Sequence, residues 1–216
     1  MFITLEGIEG SGKTTQVQNV ARWLKLRGID FVLTREPGGT RIGRAIRRLL
    51  LDPASCDLDP VAELLLYNAD RVQHIRTLIR PALESGKAVV CDRFFDATLA
   101  YQGMARQLGV ELVSRLHELV CENLQPDLTL LLDLDPARGL ERTWQQVDAG
   151  RRNPDETRFE KEKLEFHQRV RAGYLELAAA HPERIKVVDA SGTPSRVAER
   201  IRKLLDRFIE EYGKDG

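Results

Sequence analysis

Cysteine is scarce in this 216-residue chain, and the three present, Cys56, Cys91 and Cys121, form no C-x-x-C pair and no metal-ligand spacing. No cysteine-based metal or redox site is therefore expected, and a reduced, cytoplasmic compartment fits best. Net charge is missing as well, because 33 basic residues balance 33 acidic ones. General nucleic-acid affinity driven by counterion release has no support from such a composition, so any anion binding must come from local arginines. No apolar run reaches the roughly 20 residues that span a membrane. The first residues enter a strand and a loop without the charged, apolar, small-residue order of a signal peptide. A soluble cytoplasmic protein with no nucleic-acid or membrane partner is expected. Internal repeats and low-complexity tracts are absent, and the length suits one α/β domain over residues 1–216.

What is present begins at once. Residues 7 to 14 read Gly7-Ile8-Glu9-Gly10-Ser11-Gly12-Lys13-Thr14, a complete G-x-x-x-x-G-K-[ST] phosphate-binding loop. The apolar run before it supplies a buried strand, and Val17, Val20, Ala21 and Leu24 after it share one face of a helix. Glycines let successive backbone N–H groups turn inward at the helix N-terminus. Lys13 is placed to reach the β- and γ-phosphates, and the Thr14 hydroxyl to ligate Mg²⁺. A nucleoside triphosphate is the expected ligand.

Strand-like apolar runs occur at 2–5, 30–34, 88–91, 128–134 and 185–188, with helical patterns between most of them. This alternation predicts a parallel sheet covered on both faces. Ligands of such sheets bind beyond the carboxyl ends of the strands, where the glycine loop, Arg35-Glu36-Pro37-Gly38-Gly39 and Asp92-Arg93 all fall. Near the C-terminus, Val197, Ile201, Leu204, Leu205 and Phe208 recur at helical spacing and read as a core-packing stripe.

From Leu140 to Arg158 the chain is mostly polar, with Gly150 and Pro154 as breakers and Arg142, Arg151, Arg152 and Arg158 among the residues. A solvated surface loop and a mobile lid carrying guanidinium groups both fit this pattern. The guanine-reading N-K-x-D string is absent, which disfavours a GTPase switch. Arg35, Arg71 and Arg93 are expected to build a second anion site facing the first, as phosphoryl transfer between nucleotides requires. Arg41, Arg44, Arg47 and Arg48 are read as solvating one face of a helix.

Five strings together resemble the thymidylate kinase (dTMP kinase) family of the bacterial type. They are Glu9 within the glycine loop, Arg35-Glu36-Pro37-Gly38-Gly39, Asn68-Ala69-Asp70-Arg71, Asp92-Arg93-Phe94 and Ala100-Tyr101-Gln102-Gly103, in the family's order from Met1 to about Ala190. The resemblance implies a three-layer P-loop NTPase fold, with a five-stranded parallel sheet, helices on both faces and a lid at about 140–160. It also implies a Mg²⁺-dependent homodimer that transfers the γ-phosphoryl of ATP to dTMP, giving dTDP and ADP, in dTTP synthesis.

Carried over by position, the resemblance assigns ATP to Gly7, Glu9, Gly10, Ser11, Gly12, Lys13, Thr14 and Thr15, with Arg142 stacking on adenine and Ala190-Ser191-Gly192 completing that site. Thr14 and Asp92 would serve Mg²⁺, ahead of Asp133 and Asp135. Glu9, Arg35, Pro37, Tyr67, Arg71, Arg93, Thr98, Tyr101 and Gln102 would bind dTMP. Among these, Arg35 and Arg93 would grip its phosphate, Tyr67 stack on thymine where the family usually has phenylalanine, and Tyr101 crowd a ribose hydroxyl. The catalytic set would be Lys13, Arg93, Arg151 and Arg152, because Ile8, Glu9, Gly10 and Ser11 supply no basic residue to the transferred phosphate.

Two stretches depart from the family pattern. Tyr101-Gln102-Gly103 continues as Met104-Ala105-Arg106, which is expected to make the backbone there more regular. The acidic residue expected before Arg158 is replaced by Thr157, leaving Glu156 or Asp155 to take its place. A kinase for another nucleoside monophosphate or a deoxynucleoside is the alternative enzyme, and a nucleotide-binding switch the alternative of another class.

Overall fold

The computed structural model describes residues 1–212. Five strands, β1 (Phe2–Glu6), β2 (Phe31–Arg35), β3 (Ala88–Asp92), β4 (Leu128–Asp133) and β5 (Ile185–Asp189), form one sheet in the order β2-β3-β1-β4-β5. Every pairing is parallel. The helices are α1 (Lys13–Leu26), α2 (Arg41–Leu51), α3 (Pro60–His74), α4 (Arg80–Glu84), α5 (Phe95–Thr98), α6 (Val110–Cys121), α7 (Pro136–Asp148), α8 (Leu164–Ala180) and α9 (Pro194–Tyr212).

The three central strands β1, β3 and β4 are buried along nearly their whole length, whereas β2 and β5 at the edges are only partly covered. Helices on both faces of a parallel sheet produce this contrast, which is why the central strands read as unbroken apolar runs. Helix α1 packs on β1 and β3 and against α9, while α8 packs on β4 and β5. The predicted stripe of α9 is seated as expected, with Val197, Ile201 and Leu205 buried and Leu204 and Phe208 packed at the margin of the core. Cys91 is buried in β3, and all three cysteines are free.

Adjacent strands fix what lies side by side at the carboxyl edge. Leu5 of β1 is in register with Asp92 of β3, and Arg35 of β2 pairs with the same Asp92. The glycine loop, the Arg35–Gly39 turn and the Asp92-Arg93 turn therefore open next to one another.

The polar stretch starting at Leu140 is not a loop in its first half. Helix α7 runs to Asp148, begun by the Asp135 carboxylate accepting from the Arg138 amide and by Pro136 at the first turn. Its buried residues, Pro136, Gly139 and Thr143, form a narrow seam on a polar helix, which an apolar-periodicity reading does not detect. Gly150, at φ 65°, does act as the expected breaker, and short 3₁₀ turns follow at Pro154–Glu156 and Phe159–Lys161. The segment around Met104-Ala105 is regular, as expected, but as a π-helical turn over Leu99–Ala105.

His117 on α6 stacks on Phe95 with ring centroids 3.8 Å apart, and its Nε2 donates to the Leu124 carbonyl at 3.0 Å. Burial, reinforced by the nearby Arg71 charge, pushes this imidazole down to about 4. The folded value lies below the unfolded one. The associated stability is thus complete above about pH 6.5 and lost as pH falls through about 4, on the order of 3 kcal/mol. Urea unfolding across this range should show that loss in the native protein and a flatter profile in His117→Phe; parallel profiles would contradict it.

Candidate active site

The glycine loop hands the chain from β1 to α1 through Gly12, whose backbone is left-handed (φ 93°) and which offers no side-chain cap. The first-turn amides of α1 are left for an anion. Lys13 Nζ donates to the carbonyls of Gly7 at 2.9 Å and Ile8 at 2.7 Å, and to Ser11 Oγ at 3.3 Å. Burial, then the neighbouring Arg93 charge, brings the ammonium down to about 8 against the pull of Asp92 and Glu9. The Thr14 hydroxyl donates to Asp92 Oδ2 at 3.4 Å. Both groups face a cavity that is also lined by Thr15, Arg35, Arg93, Arg151 and Arg152.

Among the described residues no cluster of three or more His, Cys, Asp or Glu side chains is arranged to hold a metal. One hydroxyl and one carboxylate converging beside the glycine loop nevertheless suit Mg²⁺, which takes few protein ligands and completes its shell with phosphate oxygens and water. Asp133 and Asp135 are occupied elsewhere. The first forms a two-point ion pair with Arg171, and the second caps α7.

A second cavity adjoins the first, lined by Pro37, Tyr67, Arg71, Phe94, Thr98, Tyr101 and Gln102. Arg71 Nε donates to Glu36 Oε2 at 2.8 Å, and NH2 donates to Thr98 Oγ1 at 2.7 Å and to the Phe94 carbonyl at 3.2 Å. Its NH1 is buried without a partner, a donor left over on a fully enclosed guanidinium. Gln102 Nε2 donates to Glu63 Oε1 at 2.7 Å. Burial raises the Tyr67 phenol, so Tyr67 faces the cavity as a neutral ring with an intact hydroxyl.

The expectation of one anion site built by Arg35, Arg71 and Arg93 is corrected here. Arg35 lines only the first cavity and Arg93 lines both, while Arg71 lines only the second, with its charge neutralised by Glu36. The view of Arg47 as a solvating surface charge fails too. Its Nε and NH2 pair with Glu156, its NH1 donates to the Pro37 carbonyl at 3.0 Å, and it lines both cavities. Glu156, one of the two acidic residues just before Thr157, is thus the partner of Arg47.

Between the cavities stands a buried network. Arg93 NH2 donates to Glu9 Oε1 at 2.9 Å and to the Tyr101 hydroxyl at 3.1 Å, while the Tyr101 hydroxyl donates to the same Glu9 oxygen at 2.6 Å. His167 Nδ1 lies 3.2 Å from the other Glu9 oxygen. Burial alone would raise the Glu9 carboxyl; the His167 hydrogen bond, then Arg93, outweigh it and hold Glu9 well below the usual carboxylate range. Sequence reasoning did not identify Glu6, Glu36, Glu63, His167 or Tyr174. Only Glu36 carried a signal, its place inside the Arg35–Gly39 string.

The four lid-region arginines separate clearly. Arg151 and Arg152 line the first cavity, and Arg152, paired with Glu160, lines the second as well. Arg142 NH1 lies 3.5 Å from the Ala190 carbonyl, beside the loop that follows β5. Arg158 is buried, donating to the Leu50 carbonyl at 2.5 Å and ion-paired with Glu63.

A glycine loop at a helix N-terminus, at the carboxyl edge of a five-stranded parallel sheet, defines a P-loop nucleotide-binding protein. Comparison with known proteins narrows the class. The sequence profile of the thymidylate kinase family matches residues 5–201. A thymidylate kinase of Desulfosudis oleivorans is 54% identical over 207 residues, covering 96% of this chain and 97% of the relative. One of Syntrophotalea carbinolica is 55% identical over 200 residues, covering 93% and 92%. The crystal structure of thymidylate kinase from Ehrlichia chaffeensis matches with a TM-score of 0.76 at 35% identity, over 95% of this chain and 98% of that one. The chain belongs to the thymidylate kinase family.

Because Arg158 and Glu63 are buried partners, Arg158→Ala should leave Glu63 only Gln102 and the longer Arg106 contact at 3.5 Å, and destabilise the protein by about 2–3 kcal/mol. Chemical denaturation measures this directly. A variant with native stability and a selective loss of turnover would instead make Arg158 part of the reaction.

Proposed function

We infer that the two cavities are the donor and acceptor sites of one phosphoryl transfer. The chain transfers the γ-phosphoryl of ATP to dTMP, giving dTDP and ADP. The observation that carries this reading is their common wall, since Glu9, Glu36, Arg47, Arg93, Arg152 and Glu156 line both. Alignment and charge neutralisation are the main catalytic tasks in such a transfer, and a shared wall bearing three guanidinium groups serves both.

In this reading the loop from Gly7 to Thr15 cradles the ATP phosphates. Lys13 exchanges its bonds to the loop carbonyls for phosphate oxygens. Thr14 and Asp92 would hold Mg²⁺, Asp92 through water, and the ion would neutralise phosphate charge. Arg142 and the Ala190–Gly192 loop face adenine. In the acceptor cavity Tyr67 stacks on thymine, the free NH1 of Arg71 donates to a thymine carbonyl, and Thr98 and Gln102 read the rest of the base edge. Pro37 closes the pocket. Glu9 approaches the sugar 3′-hydroxyl, Tyr101 crowds a 2′-hydroxyl, and Arg93 and Arg35 grip the acceptor phosphate with Arg47 beside them. Arg151 and Arg152 supply the cation that the glycine loop lacks.

We read the chain as one domain with a lid at about 140–160, working in the cytoplasm toward dTTP. Among the described residues no helix is long and apolar enough to cross a membrane. Homodimer formation is supported by exposed Val61 and Leu65 on α3 and Leu112 and Leu119 on α6, two helices that pack on each other.

The direct test is ATP consumption with and without dTMP, repeated with dUMP, dCMP, dGMP and thymidine. Turnover should require dTMP, and Arg93→Ala should lose most of it while still binding ATP. Hydrolysis indifferent to acceptor would favour a nucleotide switch instead.

For the lid, Arg152→Ala should lower the single-turnover transfer rate by roughly 10²-fold or more with little change in dTMP affinity. Arg151→Ala and the double variant complete the set. Wild-type rates in all three would reduce the lid to a cover.

A further inference from the structure

Arg93 is also held from behind, by residues that line neither cavity. Its NH1 donates to the Tyr174 hydroxyl at 3.1 Å, and that hydroxyl donates in turn to Glu6 Oε2 at 2.7 Å. The other oxygen of Glu6 accepts from the Phe94 amide at 2.6 Å. Glu6 is the last residue of β1, Tyr174 lies on α8, and both are buried.

The direction of this chain is fixed by chemistry. Arginine only donates, so the Tyr174 oxygen must accept from it, and the single phenolic hydrogen is left for Glu6. Glu6 thus restrains Arg93 twice, through the backbone of the next residue and, by way of Tyr174, through the guanidinium.

The backbone explains why such restraint is needed. Arg93 sits at φ 70°, the left-handed region. A residue with a Cβ is strained there, and holds the conformation only where its surroundings over-determine it. Glu9 and the Tyr101 hydroxyl both accept from NH2 and so restrain one end of the guanidinium. The Tyr174 hydroxyl on NH1 restrains the other. Glu6 acts at one remove, through the Tyr174 hydroxyl, and so leaves free the edge a phosphate would use.

We propose that Glu6 and Tyr174 form a strut that positions Arg93 toward the acceptor phosphate, making both of them positioning residues for the transfer. The proposal rests on the reading of Arg93 as the acceptor-phosphate ligand. The strut holds the Arg93 guanidinium directly and reaches the base cavity only through the Phe94 amide and the edge of the Tyr101 ring, so its loss falls first on phosphate recognition.

Calorimetric titration with dTMP and with thymidine, which lacks the phosphate, tests it. Tyr174→Phe removes one hydroxyl and should weaken dTMP binding tenfold or more while thymidine affinity and the KM for ATP stay within twofold. Glu6→Gln keeps the side-chain volume and an acceptor for the Phe94 amide, and should weaken dTMP selectively by a smaller factor. It also supplies the measurement if Tyr174→Phe fails to fold, and thermal unfolding identifies that case. Arg93→Ala is the reference and should lose dTMP selectively by the largest factor. If Arg93→Ala behaves so while Tyr174→Phe and Glu6→Gln bind dTMP normally, or lose both ligands equally, the strut is overturned and the reading of Arg93 stands. If Arg93→Ala itself loses no selectivity, that reading fails and the strut falls with it.

Discussion

The Glu9–Arg93 ion pair, enclosed between the two cavities, is the constraint around which the site is arranged. A surface meant for two polyanions has to keep cations together before those anions arrive, and cations held together without water repel. Each arginine of the wall common to both cavities has its own glutamate. Arg93 has Glu9, Arg47 has Glu156, Arg152 has Glu160, and Arg71 beneath the base pocket has Glu36. The glutamates hold the guanidinium planes and lessen the cost of burial, leaving outward edges for phosphate oxygens. A chain with no net charge can therefore carry a strongly anion-seeking site, since its balance is struck pair by pair.

Helix α8 gives this arrangement much of its rigidity. His167 and Tyr174, seven residues apart and so on the same face, reach Glu9 and the back of Arg93. The helix begins just after the 3₁₀ turn at Phe159–Lys161, whose Glu160 holds Arg152. Arg152 and Arg93 are thus both held by one continuous stretch of chain.

How much of this was legible in the sequence follows the range of each interaction. The glycine loop and the buried strands are local signals, set by residues within a few positions of each other, and they read correctly. Tyr67, Thr98 and Gln102 were singled out only through the resemblance to a family, and they line one cavity with Arg71. Helix α7 was obscured because its buried seam holds proline, glycine and threonine, while its start signal, Asp135-Pro136, lies before the polar stretch that drew attention. Arg47 and Arg158 look alike in sequence to the exposed arginines around them. Glu156 and Glu63 distinguish them, 109 and 95 residues away. Glu6, His167 and Tyr174 were invisible for the same reason: a buried partner far along the chain leaves no local pattern.

The backbone of the glycine loop presses directly on α7. A Cβ on Gly10 would lie 2.0 Å from the Gly139 carbonyl oxygen, and one on Gly139 would lie 2.4 Å from the Glu9 carbonyl oxygen. Neither residue has anything left to shorten, so neither can yield room to a larger partner. Compensating changes, the usual way a packed contact drifts over many generations, are closed to this one, and the spacing between the glycine loop and α7 is confined to a single value.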